Sequence, residues 1–342
     1  MISKSKATIV CGIARIGLQR WVENNGECGA RQLVLHRFFG ESESQEHARE
    51  RLKRFCDWLQ NNYTLISAAA YLTCLKEQRF PRNALFVTLD DGRSRILPLI
   101  DIFRDFEIPL TVFAATGWTD GAQPAKSEPT LPQLIAFLEH YRGENRQIPL
   151  PDGQSLSLGS GQRGDEIDRL ITMADGSQQF VSDVWDRIPD AVRAQGTETG
   201  ICNWSELTDL AAMGFSIGSH SLSHCRMARQ SPLRIQYELC ESRRILTARF
   251  GQCPIFAYPY GTWDVYNDLT TAAVRAAGYE CAFLTHGGDW NRKNRYALPR
   301  IDIPDQQISD RLFAALVQGG QLPLIRIKNF LTRRHVSDRT KF

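Results

Sequence analysis

Three short segments of the sequence contain residue types that together could hold a metal ion and activate water. The first is Asp90-Asp91-Gly92, which directly follows the apolar run 84–89. Because two adjacent carboxylates in a dry site do not both ionise without cost, a bound cation is their natural partner. The structural alternative is an ordinary Asp-Gly turn, and the acidic pair taken alone favours that turn.

The second segment places two histidines four residues apart, His220 and His224, in the run SHSLSH. This spacing predicts that both rings lie on one face of a helical turn, close enough to share a metal ion. Two histidines and one carboxylate form a catalytic metal set that leaves coordination positions open for water and substrate. Together with the acidic pair, the histidines therefore predict a metal site rather than two unrelated surface turns.

The third segment is AYPYG, residues 257–261, which closes another short apolar run. Two aromatic residues around a proline can form one wall of a pocket, and the turn can aim a backbone N–H at a reacting group. The alternative is a turn that simply ends a strand.

The elements predicted around these segments alternate between strand and helix. Short β-rich runs predict strands at 32–36, 84–89, 110–114, 215–218, 255–258 and 281–285. Amphipathic stretches predict helices at 44–61, 94–106, 204–213, 232–250 and 264–277. This order predicts parallel strands joined by right-handed crossovers, in a barrel or a doubly wound sheet, with the chemistry at the carboxyl ends of the strands. Residues 119–200 interrupt the alternation, and we expect a small hairpin at 147–158 and two or three short helices there.

The composition restricts the class of protein. The chain has 342 residues, of which 42% are hydrophobic and 23% charged, so it can bury a large core. Its 41 basic and 38 acidic residues give a net charge of +3, too balanced for a dedicated nucleic-acid-binding protein. No apolar run reaches the roughly 18 residues of a membrane span, and the N-terminus is a poor secretion signal. The nine scattered cysteines predict reduced thiols, and we expect a cytoplasmic location.

The three segments in this order, TLDDG, SHSLSH and AYPYG, resemble the polysaccharide deacetylases with a NodB-homology domain, carbohydrate esterase family four. The runs LVLHR, IPLTVF and YALPRIDI agree with this, so the resemblance covers roughly residues 31–303. It implies an α/β fold, a distorted (β/α)7 barrel, which we place at 31–320 with 119–200 as an inserted segment. A helical, basic extension at 1–30 and a basic C-terminal helix and tail at 321–342 complete the predicted organisation.

The resemblance also implies roles for individual residues. Asp91, His220 and His224 match the family's metal ligands, which usually bind zinc. Another divalent metal would suit the same ligands. Asp90 matches the catalytic base, and Tyr260 matches the aromatic residue whose backbone N–H helps to hold the oxyanion. Members of the family remove N-acetyl, sometimes O-acetyl, groups from sugars. The expected partner is therefore a carbohydrate, either an amino-sugar polysaccharide or its lipid-linked precursor.

Two departures from the family pattern affect these roles. Ala257 stands where the family usually has an arginine that braces the base, and Arg300 is our candidate for the replacing cation. The family's late Leu-x-His motif, which supplies the general acid, has no clear match, and His335 lies in a basic tail. His286 is the first candidate for the acid and His36 the second; a hydrogen-bonded histidine without a catalytic role is the alternative for each.

Other readings of the chain remain open at this stage. One is a deformylase, or another amide hydrolase, of a lipid-linked amino sugar. Another is a catalytically inactive carbohydrate-binding relative, suggested by the missing arginine and the missing late histidine. Basic residues near both termini, such as those in 322–334, are compatible with peripheral contact with an anionic membrane at its inner face, and a solvated helix is the commoner alternative. The run 159–164 fits G-x-G-x-x-G but follows a polar hairpin, so a nucleotide site is disfavoured. Asp289 and Trp290 match the family's fourth motif only loosely.

Overall fold

The structure is a computed structural model. It describes residues 4–15, 29–36, 38, 43–119, 129–140, 147–157, 163–174, 177–190, 193, 200–262, 264–285, 294–304, 307–320 and 324.

The described strands form one parallel sheet and one separate antiparallel hairpin. The strands of the parallel sheet are β1 (Arg31–Leu35), β2 (Thr64–Leu65), β3 (Ala84–Leu89), β4 (Leu110–Ala114), β7 (Ser216–Ser219), β8 (Ile255–Ala257), β9 (Cys281–Leu284), β10 (Leu298–Pro299) and β11 (Ile301–Asp302). The hairpin consists of β5 (Gln147–Pro149) and β6 (Ser155–Ser157).

The helices lie between the strands and pack around the sheet. They are α1 (Lys4–Arg15), α2 (Gln45–Asn62), α3 (Ala68–Glu77), α4 (Ile100–Asp105), α5 (Thr116–Thr119), α6 (Leu131–His140), α7 (Arg163–Ala174), α8 (Gln178–Asp186), α9 (Trp204–Ala212), α10 (Pro232–Phe250), α11 (Asp268–Ala276) and α12 (Asp310–Val317). In the part of the chain that the structure describes, no helix combines the length and apolar character needed to cross a bilayer.

The sheet closes on itself through the segment 298–302. Its strand order is β10-β9-β8-β7-β4-β3-β1-β11, with β2 beside β3. The two ends of this order, β10 and β11, are separated along the chain by Arg300 alone. Leu298 pairs with Phe283 of β9, and Ile301 pairs with Leu33 of β1. If 298–302 is counted as one bent strand, seven strands surround the barrel, which confirms the predicted fold.

The barrel is filled by apolar side chains on alternate positions of its strands. Every residue of β3 and β4 is buried, as strands covered on both faces require. Phe86, Phe113 and Phe283 point inward, with ring centroids 5.5 Å (Phe86–Phe283) and 5.8 Å (Phe113–Phe283) apart. Because aromatic rings fill the interior, polar chemistry is confined to the carboxyl end of the barrel.

Local sequence signals explain most element boundaries, and two predicted helices differ from the structure. The stretch 94–106 is a 3-10 helix, Ser94–Leu99, followed by α4, and Pro98, which has no N–H to donate, lies inside the 3-10 segment. The helix predicted from 264 begins only at Asp268, because the Asn267 side chain accepts the N–H of Thr270 and caps it. The long helix α10 has its predicted bounds, with Ser231 as its N-cap.

Outside the regular alternation, the described parts of 119–200 and of the N-terminal extension also form helices and a hairpin. The stretch 119–200 contains the expected hairpin and the helices α6, α7 and α8. Helix α1 packs against α12, and Val10 is fully buried there. Gly320 permits this approach, since a Cβ at that position would lie 2.6 Å from the carbonyl oxygen of Val10. The N-terminal helix is therefore packed on the body of the molecule.

Candidate metal centre

The acidic pair and the histidine pair meet at one end of the barrel. Asp90 and Asp91 follow β3, while His220 and His224 follow β7, and β4 lies between these two strands. Because carboxyl ends of neighbouring parallel strands share one edge, residues about 130 positions apart in sequence come into contact.

The side chains of Asp91, His220 and His224 converge on one point. All three are buried, and one ligand atom from each lies within 4.8 Å of the others. Asp91 Oδ1 is 3.3 Å from Nε2 of His220 and 3.2 Å from Nε2 of His224. A carboxylate oxygen facing two imidazole nitrogens is the donor set that divalent zinc prefers, so these residues fit a metal ion.

A hydrogen bond orients the first histidine. Nδ1 of His220 lies 2.8 Å from the carbonyl oxygen of Ala257. Since a carbonyl can only accept, Nδ1 carries the proton, and Nε2 is left with the lone pair that a metal needs. Ala257 thus contributes to the site through its backbone.

Aromatic packing orients the second histidine. Nδ1 of His224 is buried and has no hydrogen-bond partner among the described residues. Its ring instead packs against Trp118 and Tyr260, with ring centroids 4.4 and 4.8 Å away. The two histidines therefore reach the same point by different means.

The expectation that a helical turn presents both histidines is wrong. Residues 220–224 form a loop, in which Ser221 and His224 have left-handed backbone with φ of +65° and +59°. The N–H groups of Thr116 and Gly117 donate to the carbonyls of Ser221 and Leu222, at 3.1 and 2.9 Å. Tertiary hydrogen bonds, rather than helical periodicity, bring the two rings to 5.0 Å between centroids.

Arg93 holds the second oxygen of the aspartate ligand, and the sequence analysis missed it. Its Nε and Nη2 donate to Asp91 Oδ2 at 2.9 and 2.6 Å, which leaves Oδ1 facing the histidines. Burial raises the pKa of Asp91, but the positive charge of Arg93 leads the opposing effects, which hold that pKa well below its usual value. The only sequence signal was a basic residue two positions after the ligand.

The second carboxylate, Asp90, is paired with Arg300. Nη1 and Nη2 of Arg300 donate to its two oxygens at 2.7 and 2.5 Å, and both side chains are essentially buried. Arg300 also donates to Thr88 Oγ1 at 2.9 Å and to the carbonyl of Leu284 at 3.2 Å. Burial raises the pKa of Asp90, yet Arg300 and His220 bring it below its ordinary value. The structure thus places Arg300 against the predicted base, while its part in catalysis stays a prediction.

The third motif turns sharply beside the histidines. Tyr260 has left-handed backbone, with φ of +61°, and the guanidinium of Arg226 lies 4.7 Å from its ring centroid. At Gly261 a Cβ would lie 2.3 Å from the backbone nitrogen of Thr285, so only glycine permits this close approach. The turn therefore brings Tyr260 beside His224. The oxyanion role of the Tyr260 N–H stays a prediction.

The structure describes one of the two candidates for the general acid. Nδ1 of His36, at the end of β1, is 3.6 Å from Asp302 Oδ1 at the end of β11, and both side chains are partly exposed. The positive charge of His36, when present, contributes to lowering the pKa of Asp90, so the two groups are near each other. Outside the described residues lie His286, Asp289, Trp290, His335 and residues 159–162.

The inserted segment contacts the loop that follows the second histidine. Arg226 and Arg229 each donate to Asp165 Oδ1 of α7 at 2.6 Å, and Arg226 also lies 3.4 Å from Asp168. Burial raises the pKa of Asp168 to about 6, although both arginines act in the opposite direction. Helix α7 is therefore joined to the metal centre through Arg226, which stacks on Tyr260.

Known proteins resemble this chain in sequence. A family model described as polysaccharide deacetylase matches residues 170–282, which include both histidines. "Putative polysaccharide deacetylase YxkH" of Bacillus subtilis is 29% identical over 201 residues, which cover 55% of this chain and 69% of that protein.

Solved structures resemble the chain in fold. The deacetylase PplD of Streptococcus pyogenes, in complex with acetate, superposes with a TM-score of 0.54 over 84% of this chain and 98% of that one, at 15% identity. The polysaccharide deacetylase BC0361 of Bacillus cereus gives a TM-score of 0.51 over 85% of this chain and 69% of that one, at 14% identity. At such low identity these likenesses establish the fold.

Proposed function

This chain carries a polysaccharide deacetylase domain, as its motifs predicted, and from that premise we propose that it is a metal-dependent hydrolase of N-acetylated amino sugars within a polysaccharide or its precursor. The family supports deacetylation of a polysaccharide. Metal dependence and the N-acetyl specificity are the proposed parts.

The convergence of Asp91, His220 and His224 carries the proposal. Their ligand atoms lie within 4.8 Å of one another in a buried site. A chain that only bound glycans would not need three buried ligands, each oriented by separate contacts. This argument favours a hydrolase over the inactive relative considered above.

A divalent cation bound by these ligands would polarise the acetyl carbonyl and lower the pKa of an attacking water. Asp90 is not part of the ligand set, and we propose that it takes the proton from the attacking water. Arg300 keeps Asp90 ionised and fixed in orientation, because both guanidinium nitrogens donate to it. We propose that Arg300 replaces the arginine that the family places at the position of Ala257.

For the general acid we propose His36, with His286 as the alternative. His36 lies at the catalytic end of the barrel, and Asp302 lies 3.6 Å from its Nδ1. Its imidazole ring, when it carries a proton, could give that proton to the leaving amine. We propose that the backbone N–H of Tyr260 donates to the oxygen that becomes negative as water attacks the carbonyl.

The inner face of the membrane is the proposed location if the sugar is lipid-linked. The basic residues near both termini support this proposal by their charge. A deformylase acting on a similar substrate would use the same site. The acid that is released, acetate or formate, therefore distinguishes the two activities.

The test is metal content and product identity in one experiment. We expect the purified chain, reconstituted with Zn²⁺, to bind about one ion per chain and to release acetate from an N-acetylated amino-sugar oligosaccharide. His224→Ala should abolish both properties, and His47→Ala, at an exposed position of α2, should change neither. Release of formate alone from an N-formyl substrate would support the deformylase. A chain that stays metal-free and inert after reconstitution would refute the proposal.

A further inference from the structure

The loop that holds both histidines rests on a buried carboxyl group from a neighbouring helix. Glu238 lies in the first half of α10, and none of its surface is exposed. Burying such a group is costly unless hydrogen bonds and a positive charge compensate it. The identity of the compensating groups therefore indicates what Glu238 does.

Within the described part of the chain, three of the four hydrogen bonds to Glu238 come from residues between the two histidines. The N–H groups of Leu222 and Ser223 donate to Oε2 at 3.0 and 2.8 Å. The hydroxyl of Ser223 donates to Oε1 at 2.5 Å, and Nη2 of Arg234 donates to the same oxygen at 2.6 Å. Both oxygens are thus occupied by the loop, and Arg234 supplies the balancing charge.

The backbone of this loop needs support from outside. Ser221 and His224 lie in the left-handed region, which persists in non-glycine residues only where surrounding contacts impose it. A second residue of α10, Ser242, donates its hydroxyl to the carbonyl of Ser221 at 3.1 Å. Helix α10 thus contacts three consecutive residues between the histidines, and Glu238 makes most of those contacts.

His224 depends on this support more than His220 does. The ring of His220 is oriented by the carbonyl of Ala257, whereas Nδ1 of His224 has no hydrogen-bond partner among the described residues. The position of His224 Nε2 therefore follows from where the backbone of the loop lies and from the rings beside it.

We propose that Glu238 is a positioning residue for the metal centre, which sets the separation of the two histidine ligands by holding the peptide groups between them. The proposal rests on the proposed metal-dependent function. It places the determinant of metal affinity on a helix that supplies no ligand. Groups that hold metal ligands in place typically contribute 10–100-fold to metal affinity or activity.

The test compares Glu238→Gln with Glu241→Gln. Glu241 lies on the same helix, is partly exposed, and pairs with Arg244 instead of the loop. The amide introduced by Glu238→Gln keeps one acceptor oxygen but turns its NH2 group toward Arg234, which is itself a donor, so the support of the loop is weakened with little change in volume. We expect the dissociation constant for Zn²⁺, measured by competition with a chromophoric chelator, to rise 10–100-fold in Glu238→Gln. It should stay within about twofold of wild type in Glu241→Gln.

The visible spectrum of the Co²⁺-loaded protein provides a readout that general destabilisation does not move. Glu238→Gln should change the intensity and position of its bands, because the ligand geometry changes, while Glu241→Gln leaves them as in wild type. Unchanged affinity and spectrum in a folded Glu238→Gln would overturn the proposal. If that variant does not fold, Ser223→Ala decides, since it removes only the hydroxyl contact: a several-fold loss of affinity supports the proposal and no loss overturns it. Wild type that binds no metal would instead overturn the proposed function.

Discussion

The two halves of the metal centre are built on different physical principles. At the end of β3, each aspartate has its own arginine: Arg93 for Asp91 and Arg300 for Asp90. After β7, the histidines are held by a carbonyl, by aromatic rings and by the contacts of Glu238. Ion pairs therefore hold the aspartates in place, whereas hydrogen bonds and aromatic packing set the positions of the histidine rings. Substitutions should consequently change protonation and stability in the first half, and metal affinity in the second.

The largest effect is expected at the proposed base. Asp90→Asn keeps the size of the side chain and removes its ability to accept a proton, so kcat should fall by about 10²–10⁴. Zn²⁺ affinity should stay close to that of wild type, since Asp90 is outside the ligand set. Single-turnover kinetics and a chelator competition measure the two quantities. A fall of less than tenfold in kcat would assign the base elsewhere.

The next effect concerns the buried ion pair between Arg300 and Asp90. Arg300→Met should lower the free energy of unfolding by about 3–5 kcal/mol, because it leaves Asp90 buried without its counter-charge. Arg54→Met, which removes an exposed partner of Asp310, should cost at most about 1 kcal/mol. Denaturant titration of the metal-free proteins provides the comparison.

Combining Arg300→Met with Asp90→Asn removes both charges and should recover much of the lost stability. Strict additivity of the two single changes would contradict the idea that Arg300 stabilises the fold mainly through Asp90.

A smaller effect is expected in the histidine half. Tyr260→Leu removes the ring beside His224 and keeps the backbone N–H, so Zn²⁺ affinity should fall by about 2–10-fold, the equivalent of one aromatic contact. Tyr260→Phe keeps the ring and should leave the affinity unchanged. Equal affinities in the Leu and Phe variants would show that ring packing does not orient His224.

The last comparison uses pH to distinguish the two aspartates of the site from Asp168 in the inserted segment. The lowered pKa values of Asp90 and Asp91 contribute stability that is present above about pH 4 and is lost only as pH falls through their folded-state values. Asp168 has the opposite sign: with its pKa raised to about 6, its contribution is present below about pH 4 and is lost as pH rises toward 6.

Asp168→Asn should therefore gain on wild type in unfolding free energy between about pH 4 and pH 6, by roughly 1–3 kcal/mol. The measurement is a series of denaturant titrations on metal-free protein. A difference between the two proteins that does not change over this range would mean that burial does not raise the pKa of Asp168.

The family resemblance rested on short motifs, and the structure gives a physical reason for several features in and around them. The run 84–89 is apolar throughout, so it forms a strand buried on both faces, and the acidic pair must then lie at its end. Ser231 followed by Pro232 begins α10 where the sequence predicted it, because a serine cap and an N-terminal proline suit the first turn. Gly261 is required by the approach of Thr285, a constraint that the motif records without explaining.

The sequence by itself determined the alternation of strands and helices, the order of the motifs and the ligand types, because each depends on neighbouring residues. Arg300 was assigned to Asp90 from a missing arginine, but only barrel closure between β10 and β11 brings it there. The histidine loop, with its left-handed residues, and its support by Glu238 were decided by tertiary structure alone. Such contacts join residues far apart along the chain or depend on backbone conformation, and neither leaves a periodic signal in a single sequence.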